Sequence, residues 1–64
     1  MRVLTDNEKQ VLHFALLGYA NIEIAEEIGY SERTIVRIFK DLKKSFHASK
    51  DRQLIGILKD KQLI

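Results

Sequence analysis

Between Ser31 and Phe46 the chain carries two stripes written at a single period. Ile35, Ile38, Phe39, Leu42 and Phe46 recur at the three-and-four spacing that lines up one side of an α-helix. Arg33, Arg37, Lys40 and Lys44 recur at the same spacing on the opposite side. One face is fitted for burial, and the other is a row of cations about 16 Å long at roughly 1.5 Å per residue. Such a row suits a helix laid into a DNA major groove, about 12 Å wide with phosphates on both banks. It equally suits a solvated, lysine-rich surface helix, so the segments around it decide between the two.

A chain of 64 residues makes one domain, spanning 1–64, with a core small enough to leave only a few kcal/mol of stability unless a partner adds to it. Helical packing is the economical solution. There is no cysteine, which excludes a disulfide framework and a thiolate metal site and is compatible with a reducing interior. The start, Met1 to Asp6, turns polar after two apolar residues, and no later run approaches the roughly eighteen apolar residues of a membrane span. The expectation is a soluble, cytoplasmic protein with no membrane contact.

The net charge of +2 says little, but its distribution is lopsided. Residues 1–30 carry two cations against five acids, a net of −3, and residues 31–64 carry nine against four, a net of +5. This asymmetry suits a molecule with one face turned to a polyanion and another to solvent or protein.

Punctuation comes from two glycines and a series of capping residues, with no proline, repeat or low-complexity stretch. Thr5 followed by Glu8 is a capping box opening a helix over about residues 6–17, which Gly18 stops in a left-handed conformation. Asn21 is a good N-cap for a second helix, Ile22 to Ile28, that turns Ile24, Ala25 and Ile28 to a core before Gly29 ends it. Ser31 caps the third helix, Glu32 to about Phe46, with Glu32 in the first turn where the macrodipole favours an anion. A fourth starts at Ser49 or Asp51 and runs to about Lys61. The expected fold is all-α, with four helices. The short second helix, the glycine-bearing turn and the long third helix follow the plan of a helix-turn-helix.

Leu4-Thr5, Glu8, Val11-Leu12, Gly18, Asn21, Glu23-Ile24-Ala25, Ser31-Glu32 and Thr34-Ile35, ending in Leu63-Ile64, resemble the four-helix DNA-binding domain of the LuxR/GerE family of bacterial transcription regulators. The likeness runs without a gap from about Leu4 to Ile64. In that family the domain usually follows a receiver or ligand-binding domain; a chain that begins at Met1 with room for neither resembles the free-standing GerE-like type. The resemblance implies a sequence-specific regulator that binds double-stranded DNA as a homodimer, with its third helix in the major groove and base contacts from Val36, Arg37 and Lys40.

The cationic stripe independently selects Arg37 and Lys40, of which Arg37 has the fork to pair with guanine O6 and N7. Val36 departs from the family, where lysine is common; valine offers only apolar contact, for instance to a thymine methyl, or is an ordinary half-exposed helix residue. Arg33, Lys43 and Lys44 flank the central pair and suit phosphate contacts. Ser31 and Thr34 near the helix N-terminus, and Asn21 from the second helix, are further phosphate candidates, with capping as the competing role of Ser31 and Asn21. Ile22 stands where relatives often carry lysine, which removes one family phosphate contact.

Leu54, Ile55, Ile57 and Leu58 span an arc of about 160° on the fourth helix, wider than packing on three others requires. The resemblance makes this helix a C-terminal dimerisation helix, and surplus apolar width is what a two-fold contact uses. The competing reading gives all four side chains to the intramolecular core. His13 and His47 lack companion ligands, and no carboxylate pair, nucleophile–base pair or phosphate-cradling glycine loop is present, so no metal, cofactor or enzyme activity is expected. A rival of another class is a small helix-turn-helix-shaped module, such as an antiactivator, that captures another regulator. Leu16 and Leu17 cannot both face the core, Tyr19 follows them, and Glu23, Glu26 and Glu27 form an acidic flank.

Overall fold

A computed structural model describes residues 4–64 as four helices: α1 (Asp6–Leu16), α2 (Asn21–Ile28), α3 (Glu32–Ser45) and α4 (Asp51–Asp60). The leading Met1-Arg2-Val3 lies outside the described residues. Among the described residues no helix is long and apolar enough to cross a membrane.

Each helix starts where a donor can be satisfied. At α1 the capping box is complete: the Glu8 amide donates to Thr5 Oγ1 at 3.2 Å, and the Thr5 amide donates to Glu8 Oε1 at 2.9 Å. At α3 the Thr34 amide donates to Ser31 Oγ at 3.2 Å. The second helix departs from the sequence reading. Asn21 is its first residue rather than its cap; Ala20 holds the extended N-cap backbone, and its amide donates to Glu23 Oε1 at 2.8 Å. A backward reach from Glu23 therefore replaces the forward reach expected of Asn21. A similar device opens α4, where the Ser49 amide donates to Gln53 Oε1 at 2.7 Å and the extended N-cap residue is Lys50.

The ends share one device. In each, an amide five residues on closes back onto a carbonyl of the last turn: Tyr19 onto Phe14, Tyr30 onto Ala25, Ala48 onto Lys43 and Leu63 onto Leu58. This closure needs a left-handed residue before the closing amide. Gly18 (φ 93°) and Gly29 (φ 86°) provide it at α1 and α2, while His47 (φ 57°) and Gln62 (φ 58°) provide it at α3 and α4. The first closure is reinforced by the rings of Phe14 and Tyr19, whose centroids are 5.0 Å apart.

The core gathers the inward stripe of every helix. Val11 and Leu12 of α1, Ile24 of α2, Ile35 and Leu42 of α3, and Leu54 and Leu58 of α4 are completely buried. Leu4, Ala25, Phe39 and Phe46 complete the core, and Ile28 and Ile38 pack at its edge. α2 packs against both α1 and α3, and α4 packs on α3, so α3 is held between two neighbours. Asn7 Nδ2 donates to Tyr30 Oη at 2.6 Å, tying the start of α1 to the turn between α2 and α3.

The fourth helix corrects the sequence reading. Leu54 and Leu58 are 0 % exposed in the single chain, so neither has surface to offer a second copy. Ile55 and Ile57 are half-buried. At 100° per residue they lie about 80° to either side of the buried pair, so the wide arc is a centred core stripe with two half-open edges.

Candidate nucleic-acid interface

The turn that sets α3 against α2 consists of Gly29, Tyr30 and Ser31. Gly29 takes a left-handed backbone that a Cβ would strain, and Ala25 is a small core residue of α2, 2 % exposed. α2 and α3 form the helix-turn-helix. Ile35, Phe39 and Leu42 seat α3 by their burial, and a helix fixed on one side must present the other to solvent.

That outer side carries Arg33, Arg37, Lys40 and Lys44, all exposed. Among the described residues none of the four is in an ion pair. They line one shallow groove along the helix together with Val36 and Asp41. Taking the cationic row as the centre, Val36 stands about 70° to one side and Asp41 about 70° to the other at 100° per residue. The face thus grades from an apolar edge through a cationic centre to an acidic edge. Val36 is 49 % exposed, a β-branched side chain standing in water beside charges.

Other sequence candidates fall elsewhere. Lys43 is half-buried on the side of α3 facing α4 and pairs with Asp51 at 3.1 Å, away from the groove. Ser31 and Thr34 share a hydroxyl–hydroxyl hydrogen bond of 2.9 Å, so the Ser31 hydroxyl is engaged in capping. Thr34 and Asn21 are half-buried, and Asn21 lies at the first residue of α2. Ile22, in the first turn of α2, is exposed.

Asp41 was missed by the sequence reading, although its signal was present: it is the acid one turn beyond Arg37 on the cationic side. Gly56 was also missed. It sits mid-way along α4 with nothing within 4 Å of where a Cβ would stand, about 180° from the buried Leu54 and Leu58 pair.

Leu16 and Leu17 are 47 % and 61 % exposed, so neither faces the core. Leu16 joins Lys9, His13, Leu63 and Ile64 around a second groove, apolar in its lining apart from Lys9 and His13. His47 is exposed at its left-handed position. Among the described residues no group of three His, Asp or Glu side chains is placed to hold a metal.

A helix seated by one stripe, packed against a shorter helix through a glycine turn and offering exposed cations outward is the arrangement the LuxR/GerE likeness implies. No curated protein and no solved structure gives a significant match to the chain. The family model GerE, described as bacterial regulatory proteins of the luxR family, matches residues 2–58 of the 64. The chain belongs to this family of helix-turn-helix DNA-binding transcription regulators.

Proposed function

We propose that this protein is a sequence-specific regulator that lays α3 in the major groove of DNA and acts as a dimer in the cytoplasm. The observation that carries the reading is the outer face of α3, where Arg33, Arg37, Lys40 and Lys44 are exposed and unpaired among the described residues. Arg37 pairs with guanine O6 and N7, Lys40 donates to guanine or an adjacent phosphate, and Val36 makes apolar contact. Arg33 and Lys44 hold phosphates on the two banks. Asn21, Ser31 and Thr34 hold phosphate near the helix N-termini, and Lys43 does so by exchanging its Asp51 partner for one. Selection of bound sites from a randomised duplex library tests the reading. It predicts enrichment of guanine-containing half-sites about one helical turn apart. Failure to bind any duplex at low salt contradicts it.

Dimerisation rests on α4. Ile55 and Ile57 are half-buried in the single chain, and Gly56 lies outward between them. A glycine inside a helix costs about 1 kcal/mol relative to alanine, and close approach of a second helix is a use for the space it leaves. Sedimentation on and off DNA checks this; a strict monomer in both states removes the dimer.

A second reading, capture of another protein, is favoured by the exposed Leu16–Leu17 corner and the Lys9, His13, Leu16, Leu63 and Ile64 groove. The same library experiment separates the two, since an antiactivator of this kind enriches no motif.

A further inference from the structure

We propose that Asp41 is a specificity-determining residue, which braces Arg37 on guanine and penalises every complex in which α3 meets only phosphates. The inference rests on the major-groove reading above and adds to it a residue that reading leaves out.

An acid has no evident place on this face. Asp41 is exposed, lines the same groove as Arg37, Lys40 and Lys44, and among the described residues is in no ion pair. A carboxylate brought against a phosphate-lined wall is repelled in proportion to its proximity, and water that would screen the repulsion is expelled as the helix seats. Removing the charge would strengthen non-specific attraction, so its presence on the reading face favours something other than raw affinity.

Arg37 supplies the compensating partner. It stands one turn before Asp41, at a separation where helical side chains have Cβ atoms about 5–6 Å apart. Cation before acid is the less favoured order for such a pair on an isolated helix, consistent with the absence of an ion pair between the two in the free protein. In the groove the balance changes. A guanidinium carries five N–H donors and spends two on guanine O6 and N7, which leaves donors for a carboxylate beside it. With guanine in place, Asp41 is neutralised and the guanidinium plane is held. On the wrong sequence Arg37 swings to phosphate, and Asp41 is left unpaired against the backbone. One carboxylate thus raises the right complex and lowers the wrong ones.

The test is a cycle with two proteins and chemically edited DNA. Wild type and Asp41→Asn are titrated on the selected duplex and on a scrambled duplex of equal length. Both titrations are repeated with 7-deazaguanine, which lacks the N7 acceptor, in place of the half-site guanine. Asp41→Asn should bind the scrambled duplex about fivefold more tightly and lose about tenfold in the ratio of specific to scrambled affinity. The 7-deazaguanine penalty, about tenfold in wild type, should shrink to about twofold in the variant. A variant that tightens on both duplexes equally and keeps the full 7-deazaguanine penalty overturns the role of Asp41 while leaving major-groove reading intact. Wild type that is indifferent to 7-deazaguanine at every guanine overturns the underlying reading by Arg37, and this inference with it.

Discussion

Both α3 and α4 bury an apolar stripe, Ile35, Phe39 and Leu42 on one and Leu54 and Leu58 on the other, yet their outer faces have little in common. Within its bounds α3 carries five cations against two acids, a net of +3, and α4 carries Arg52 and Lys59 against Asp51 and Asp60, a net of zero. α4 also spends its mid-point on an exposed glycine. Amphipathic periodicity explains why each helix is present and which way it faces. The chemistry written on the free side separates a helix that attracts a polyanion from one that does not, and substitutions matched across the two helices measure that separation.

The shared seat should give the largest effects. Leu42→Ala and Leu54→Ala each remove a completely buried side chain, and each should cost about 2–5 kcal/mol in urea denaturation. A cost under about 1 kcal/mol at either site would mean that one helix is not anchored as described.

The outer faces should then diverge. Arg37→Ala should lose about 1–3 kcal/mol of binding to the selected duplex and relax the preference for guanine. Arg52→Ala, on the neutral face of α4, should change binding by less than about 0.5 kcal/mol. Equal losses would erase the distinction between the two helices.

Glycine sharpens the contrast at about 1 kcal/mol. Gly29→Ala forces a Cβ into a left-handed turn and should destabilise the fold by about 1 kcal/mol, although the space around it is open. In the monomer Gly56→Ala places a methyl in open space on an ordinary helical backbone and should raise stability by about 0.5–1 kcal/mol. Thermal melts at protein concentrations too low for dimerisation read both signs.

The smallest difference concerns salt. Lys44→Ala should weaken all sequences alike and reduce the slope of log affinity against log salt by about 0.9, the release expected for one phosphate contact on duplex DNA. Lys59→Ala should leave the slope unchanged.

Much of this molecule is legible in its residues because the signals are local. The Thr5–Glu8 box, the Ser31 cap, the left-handed Gly18 and Gly29 and the buried stripe of α3 each depend on a few neighbours, and each occurs in the structure. The failures share a different cause. Width of an apolar arc counts residues without locating the core behind them, so Leu54 and Leu58 were read as available to a partner when they are the centre of the packing. Asn21 has a cap's chemistry, but Glu23 reaches back to satisfy the Ala20 amide and the helix begins one residue earlier. His47 and Gln62 take left-handed conformations that side chains other than glycine rarely announce. Periodicity identified the α3 cations, but it could not show that Lys43 faces Asp51 across to α4. Asp41 is one acid on a face with four cations, and a stripe defined by its majority charge does not single it out.

Methylation interference on the selected duplex tests the central claim most directly, because methyl groups at guanine N7 project into the major groove and those at adenine N3 into the minor. If the outward cations of α3 read the major groove, N7 methylation within each half-site should abolish binding while N3 methylation there leaves it largely intact. Binding that tolerates N7 methylation throughout the site would contradict the account.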